Sequence, residues 1–188
     1  MATFEALPKV LVLVGPSGVG KTMLQEKLSV LLKPPTRKLV TTTTRSPRPG
    51  EVDGRDYHFT SLGEFEAMVA DGMFLEHQAY GRHKYGSTET ALLDATEDGA
   101  ICIAVLGCDG VKAYQKLRDK YIDLRVVAVT APAAIVAQRL GDDNARAKRD
   151  TEVDDMQSLG PDRVLCNDAT PVEALASLVA YLSSEFMV

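Results

Sequence analysis

The sequence Val10-Leu-Val-Leu-Val14 leads directly into Gly15-Pro-Ser-Gly-Val-Gly-Lys-Thr22, and this stretch decides the fold. Five consecutive branched apolar residues without polar alternation predict a strand that is buried on both faces. The next segment has the pattern G-x-x-x-x-G-K-[ST], and the spacing of Leu24, Leu28 and Leu31 predicts an amphipathic helix after it. A strand, a glycine-rich turn and a helix in this order predict a phosphate-binding loop.

The loop is expected to hold a nucleoside triphosphate through its backbone N–H groups and the N-terminus of the following helix. We expect Lys21 to reach the β- and γ-phosphates and Thr22 to be a ligand of Mg²⁺ that arrives with ATP. The alternative is a glycine-rich turn that only starts a helix. The residues expected to bind ATP here are Gly15, Pro16, Ser17, Gly18, Val19, Gly20, Lys21 and Thr22.

The rest of the chain alternates between predicted strands and helices. Apolar runs over 101–106, 124–129 and 163–166 predict further buried strands, and segments of helical period lie between them. Alternating strands and helices are typical of the α/β class. We therefore predict a parallel sheet with flanking helices, of the type found in P-loop NTPases, with an inserted small mixed α/β region and a short lid.

Two segments interrupt this alternation and set the predicted organisation. Residues 34–60 contain prolines and glycines among threonines and arginines, with strand-like stretches at 38–44 and 57–60, and this composition indicates an inserted unit. The polar segment 141–150 has no apolar periodicity and predicts a mobile loop. We predict a single domain with a core over 1–36, 97–138 and 151–188, an insertion over 37–96 and a lid over 139–150.

Length and charge restrict the function. The chain has 188 residues, which is room for one domain with a sizeable core. A formal net charge of -5 argues against a protein that tracks a nucleic-acid polymer. Residues 36–56 nevertheless contain five Lys or Arg against three acids, a local excess that suits a small phosphate ligand.

The cysteines and the apolar pattern bear on location. Three cysteines, an odd number, favour a reducing compartment over a disulfide framework. No apolar window reaches the roughly 18 residues needed to span a bilayer, and the first nine residues do not have the pattern of a secretory signal. We therefore expect a cytoplasmic protein without a membrane partner.

Residues 43–59 carry the second chemical signal, T-T-R-S-P-R-P-G-E-V-D-G-R-D-Y-H-F. Arg45 and Arg48 lie three residues apart beside prolines that stiffen the backbone, and guanidinium groups held in this way suit a phosphate dianion. This segment closely resembles the guanylate kinase family. The resemblance continues at Phe74-Leu-Glu76, at Tyr85-Gly-Ser-Thr88 and at 164–168, so it covers essentially the whole chain.

The resemblance implies transfer of a phosphoryl group from ATP to GMP, or to dGMP. It implies that Glu76 accepts hydrogen bonds from the guanine N1–H and exocyclic amine, a donor pair that adenine lacks. It also implies that Asn167 lies near the adenine of ATP. The remaining contacts it implies are Arg45, Arg48, Tyr57 and Tyr85 on the GMP phosphate, and Thr41 and Ser87 on the base.

The chain departs from the family pattern at a strand end. The family has D-x-D-x-Q-G where this chain has Val105-Leu-Gly-Cys-Asp-Gly110, so Val105 and Gly107 replace two carboxylates. The first of these acids supports Mg²⁺ through water, and the second faces the base or ribose of GMP. Asp109 is a candidate replacement as a water-mediated Mg²⁺ ligand if the strand end is shifted.

The predicted lid is shorter than the arginine-rich loop of the family. Arg139, Arg146 and Arg149 remain in or beside it as cations that could cover the transferring phosphoryl group together with Lys21 and Arg45. For Arg146 and Arg149 the alternative is that they belong to a solvated charged loop without a role in transfer, and the sequence favours neither interpretation.

Three functions follow from these observations. The first is an ATP-dependent kinase for GMP. The second is a guanylate-kinase-like binding or interaction module that has lost most turnover, supported by Val105, Gly107 and the short lid. The third is a kinase for another phosphorylated acceptor, since Gly107 removes a polar contact to base or ribose. The sequence does not distinguish a monomer from a dimer.

Overall fold

The computed structural model describes residues 6–32, 35–141, 156, 158–168 and 171–186. None of the helices in these ranges is long and apolar enough to cross a membrane. The strands are β1 (Lys9–Val14), β2 (Thr36–Lys38), β3 (Thr42–Thr43), β4 (His58–Phe59), β5 (Phe74–Tyr80), β6 (His83–Thr88), β7 (Ile101–Val105), β8 (Asp123–Thr130) and β9 (Arg163–Cys166). The α-helices are α1 (Lys21–Leu31), α2 (Leu62–Ala70), α3 (Glu89–Thr96), α4 (Cys108–Gln115), α5 (Ala133–Leu140) and α6 (Pro171–Glu185).

Five parallel strands form the central sheet in the order β2-β7-β1-β8-β9. Strand β1 lies in the middle, and its residues alternate between the two faces. Val10 and Val12 pack in a core with residues of α3 and α4, whereas Leu11 and Leu13 pack in a second core with residues of α1 and α6. The predicted α/β class, with a parallel sheet covered by helices on both faces, is confirmed.

A second sheet has the order β4-β3-β6-β5 and contains the hairpin β5-β6. The single strand predicted over 38–44 is wrong, because β2 pairs with β7 in the central sheet while β3 pairs with β6 in the second sheet. Residues 39–41 pass from one sheet to the other. Their sequence, Leu39-Val-Thr41, is typical of a strand in either sheet, so composition does not show the break.

Helix α2 supports the strand that carries the predicted base contact. Ser61 and Glu64 form a capping box at its N-terminus, which satisfies backbone N–H groups that the helix leaves free. Phe65 is fully buried and its ring stacks on Phe74 of β5 with centroids 4.5 Å apart. This aromatic contact fixes the start of β5 two residues before Glu76.

Two of the three cysteines lie in the core. Cys102 and Cys108 are buried, and burial raises the pKa of the Cys102 thiol to about 12. Cys166 is exposed at the end of β9. The two buried thiols therefore behave as apolar side chains.

Candidate active site

The glycine-rich loop connects β1 to α1, as the motif predicts. Gly20 is the N-cap of α1 and has a φ of 96°, which is in the left-handed region. A Cβ atom there would also lie 2.5 Å from Nδ2 of Asn167. Backbone conformation and close packing therefore both require glycine at this position.

Lys21 lies over the loop that it follows. Its ammonium group donates to the carbonyl oxygens of Gly15 at 2.5 Å and Pro16 at 2.7 Å. Thr22, the next residue, is exposed and lines a cleft between α1 and the second sheet. The loop therefore presents an ammonium group and a hydroxyl group at adjacent positions.

Asn167 and Arg139 support the loop from its other side. Asn167 is fully buried, and its Nδ2 donates to the carbonyl of Val19 at 2.7 Å. Arg139 donates from Nη1 to the same carbonyl at 3.2 Å and from Nη2 to the carbonyl of Asn167 at 3.2 Å. The structure thus places both residues against the phosphate loop, although the resemblance implies an adenine contact for the first and a lid position for the second.

Arg45 is held in one orientation by Glu51. Two parallel hydrogen bonds of 2.8 Å join the guanidinium to the carboxylate, and Glu51 also accepts from the backbone N–H of Arg48 at 2.7 Å. The hydrogen bond between the side chains raises the pKa of Arg45 and lowers the pKa of Glu51. A bidentate pair of this kind fixes the guanidinium plane, so Arg45 is ordered before any anion arrives.

Tyr57 lies between two cations. The Arg45 guanidinium carbon and the Lys38 ammonium nitrogen are each 5.2 Å from the centre of its ring. Tyr85 lies with its ring edge toward Tyr57, at a centroid distance of 6.1 Å. Burial raises the pKa of Tyr57, so the phenol remains a hydrogen-bond donor at neutral pH.

Glu76 is the end of a buried hydrogen-bond chain. The hydroxyl of Tyr114 donates to Ser87 Oγ at 3.1 Å, and the hydroxyl of Ser87 donates to Glu76 Oε1 at 2.9 Å. Glu76 is 8% exposed, and Ser87 and Tyr114 are fully buried. Burial raises the pKa of Glu76, whereas the hydrogen bond from Ser87 lowers it. The chain of hydroxyls therefore orients a carboxylate that burial disfavours.

A cavity of about 340 Å³ brings the loop and the second sheet together. Three permanent cations and one carboxylate line it, so its walls suit an anionic ligand with a hydrogen-bonding base. Most of the predicted acceptor residues are among its lining residues. These are Gly15, Ser17, Lys21, Thr41, Arg45, Arg48, Tyr57, Glu76, Gln78, Tyr80, His83, Tyr85, Val105, Leu106 and Gly107.

This combination of a phosphate loop and an arginine- and tyrosine-lined cavity agrees with the comparisons with known proteins. The family model described as Guanylate kinase matches residues 7–180. The chain belongs to the guanylate kinase family.

Curated relatives extend this result. Guanylate kinase of Thiobacillus denitrificans is 47% identical over 119 residues, which are 60% of this chain and 55% of the relative. Guanylate kinase of Maricaulis maris is 42% identical over 104 residues, which are 55% of this chain and 47% of the relative. The chain thus spans about half the length of these curated relatives.

A solved structure supports the fold over a longer range. The crystal structure of guanylate kinase from Anaplasma phagocytophilum matches with a TM-score of 0.73 at 23% sequence identity. The match covers 98% of this chain and 89% of that chain. The agreement of the fold therefore includes both sheets.

The site departs from the guanylate kinase pattern where β7 ends. Val105 lines the cavity, and Gly107 precedes α4, so neither position offers a carboxylate. The side chain of Asp109 is 78% exposed, lies 3.8 Å from the Lys112 ammonium, and is not among the lining residues. The structure therefore does not bring this predicted replacement into the cavity. Arg146 and Arg149 lie outside the described residues.

Three residues in or beside this site are not predicted by the sequence patterns. Lys38 belongs to β2 of the central sheet, and its ammonium donates to the carbonyl of Asp56, in the segment before β4, at 2.6 Å. Tyr114 has the apolar spacing of a core residue of α4, so its hydroxyl gave no separate signal. Gln78 is two residues beyond Glu76 on β5, and its place in the wall could have been inferred from the alternation of a strand.

Proposed function

We propose that the chain transfers the γ-phosphoryl group of ATP to GMP, giving ADP and GDP. The observation that carries this proposal is a cavity lined by Lys21 of the phosphate loop, by Arg45 after β3 and by Glu76 of β5. Two phosphate sites facing one cavity are what a transfer between two nucleotides requires. Family membership supports the same reaction.

On the donor side, the loop backbone and Lys21 hold the phosphates of ATP. Lys21 exchanges its carbonyl partners for phosphate oxygens and stabilises the charge that develops on the transferring group. Asn167 and Arg139 keep the loop in shape through the carbonyl of Val19. We assign these two residues to support of the loop.

Mg²⁺ would accompany ATP, and the residues that the structure describes offer it few ligands. In the described part of the chain no group of three or more acidic, histidine or cysteine side chains could hold a metal ion. The hydroxyl of Thr22 suits one oxygen position, and ATP phosphates and water supply the others, which is common for Mg²⁺. When bound, the ion neutralises charge on the phosphates. At the end of β7, Val105 stands where the family has an acid that would support the ion.

On the acceptor side, the residues around Arg45 hold GMP in line for attack. Arg45, Arg48, Tyr57 and Tyr85 donate to its phosphate, whose charged oxygen attacks the γ-phosphorus while the bond to the β–γ bridging oxygen breaks. Because this phosphate is already anionic at neutral pH, no general base is required. Preordering by Glu51 reduces the loss of side-chain entropy when the phosphate binds.

Glu76 selects guanine. Its carboxylate accepts from N1–H and the exocyclic amine, and Ser87 and Tyr114 keep it in position. Thr41 lines the cavity and can add a hydroxyl contact. Ser87 thus acts through the carboxylate as well as through any contact of its own with the base.

We assign residues 37–96 to acceptor binding and residues 139–150 to the lid. The predicted core, 1–36, 97–138 and 151–188, is assigned to ATP binding. Exclusion of water from the cavity when both nucleotides are bound would limit hydrolysis of ATP. Arg146 and Arg149 stay predicted contributors to the transferring phosphoryl site.

A coupled assay of ADP release with Mg-ATP tests the reaction. We expect turnover of about 1 to 100 per second with GMP, lower efficiency with dGMP, and only background with AMP or without acceptor. The variant Lys21→Ala, purified in the same way, controls for contaminating kinases.

Two outcomes would contradict the proposal. GMP binding in calorimetry without turnover would identify a binding module. Replacement of the family's acid by Val105 would then have abolished catalysis. Turnover with another phosphorylated acceptor but not with GMP would exclude guanine as the substrate base.

A further inference from the structure

Gln78 lies beside Glu76 on the wall of the cavity. The two residues are two positions apart on β5, so their side chains leave the strand on the same face, and both line the cavity. Glu76 is buried and Gln78 is half-buried. The wall therefore presents a carboxylate and a neutral amide side by side to the same ligand.

The amide of Gln78 also covers Gly107, the residue before α4. A Cβ atom at position 107 would lie 2.7 Å from Gln78 Nε2 and 2.8 Å from Gln78 Oε1, which is closer than real Cβ atoms approach. A side chain at position 107 would therefore displace the amide from the wall.

Backbone geometry does not explain the glycine at position 107. Its φ of -81° and ψ of 177° are extended values that any residue adopts. Gly107 is the N-cap of α4, where Ser, Thr, Asp or Asn would accept a hydrogen bond from the helix, and α4 has no side-chain cap. The absence of a side chain here instead makes room for Gln78.

We propose that Gln78 is a specificity-determining residue whose amide hydrogen-bonds the guanine base next to the contact made by Glu76. This inference rests on the proposed function, since GMP is the ligand. A carboxylate can only accept hydrogen bonds, whereas the guanine edge carries a carbonyl oxygen beside its N–H donors. The Gln78 amide supplies a donor for that carbonyl, which the carboxylate of Glu76 cannot do. Gly107 is the position that lets the amide reach the base.

The first test is Gln78→Met in the full chain, because Met keeps the length and packing of the side chain and removes its hydrogen bonds. We expect the Kd for GMP to rise about three- to tenfold and the Kd for ATP to stay within twofold. Calorimetry with each nucleotide measures both. An unchanged Kd for GMP would show that Gln78 only fills space and would overturn the inference.

The second test exploits the contact between positions 78 and 107. Gly107→Ala in the natural background should weaken GMP, because the new Cβ atom moves the flexible end of Gln78 away from its place on the wall. In the Gln78→Ala background the same change should leave the Kd for GMP within twofold, because no amide is left to move. Equal fold-changes of the Kd in both backgrounds would overturn the inference.

These results distinguish the inference from the proposed function. If the natural chain neither binds GMP nor uses it, the proposed function fails and the guanine contact fails with it. If the natural chain binds and uses GMP but Gln78→Met binds it equally well, only the inference fails.

Discussion

The proposed donor and acceptor sides of the cavity would hold phosphate by different means. The donor side is a backbone structure, made of a glycine-rich loop and the start of α1, in which Lys21 donates to two loop carbonyls. The acceptor side consists of side chains, with Arg45 locked by Glu51 and Glu76 held by Ser87. The loop therefore depends on its backbone conformation. The acceptor side depends on partner side chains, which can be removed one at a time.

The largest expected effect comes from the one permanent cation of the loop. Lys21→Ala should lower kcat about 10³-fold, because its ammonium stabilises the transferring phosphoryl group. GMP affinity should stay within twofold, since the proposed acceptor residues lie in the second sheet and in the segment between β3 and β4. The coupled assay and GMP calorimetry measure the two effects. A loss of GMP affinity equal to the loss of kcat would break the separation between the two sides.

On the acceptor side, Glu76→Gln should weaken GMP about 10²-fold, because a neutral amide cannot accept from both guanine donors and keep the hydrogen bond from Ser87. The Kd for ATP should stay within twofold. Calorimetry with each nucleotide decides, and equal losses for GMP and ATP would remove Glu76 from base selection.

The pH dependence of GMP binding also tests the role of the Glu76 carboxylate. Because burial raises the pKa of Glu76, its carboxylate takes up a proton at a higher pH than an exposed glutamate does. Affinity for GMP should therefore fall as the pH is lowered through that pKa. The GMP phosphate also protonates near pH 6, so Glu76→Gln provides the control profile for the phosphate alone. Identical profiles for the natural chain and the variant would contradict the assignment.

Glu51→Gln tests whether preordering of Arg45 matters. We expect the KM for GMP to rise about tenfold and the free energy of unfolding to fall by about 1–2 kcal/mol, because the Gln amide accepts only one of the two hydrogen bonds from Arg45 and carries no charge. Chemical denaturation and the coupled assay measure these effects. The matched control is Glu66→Gln, which breaks the exposed pair with Lys84 and should change neither quantity measurably. Equal results for both variants would show that the Arg45 pair is an ordinary surface ion pair.

The smallest effect is expected at Tyr114. Tyr114→Phe keeps the buried ring and removes the hydroxyl that donates to Ser87, so the KM for GMP should rise about two- to fivefold. The KM for ATP and the value of kcat should not change, which distinguishes loss of positioning at Glu76 from a general loss of packing. An equal rise in both KM values would indicate a purely structural role.

Much of the fold could be predicted because its signals are local. Strand β1, the loop and α1 are adjacent in sequence, and their apolar runs and glycine spacing each have one physical explanation. The prediction of one strand over 38–44 is wrong because the pairing partners of the strands, and not composition, decide where β2 ends and β3 begins. Strands of two and three residues carry little sequence signal of their own.

The same distinction applies to the site. Arg45, Arg48 and Tyr57 were predicted from one continuous segment, and the structure places them in one cavity. The contact between Gln78 and the position of Gly107 joins residues of β5 and the start of α4, so it follows from tertiary packing alone. Because neither residue type is unusual, only the fold shows that they share one space.

The tyrosines around Arg45 have a practical consequence. Tyr57, Tyr80 and Tyr85 line the cavity, and they are half of the six tyrosines in a chain that has no tryptophan. Tyrosine emission is therefore not overwhelmed by a stronger fluorophore. A phosphate that binds beside two of these phenols should change their emission, so the natural chain carries its own optical reporter of acceptor binding.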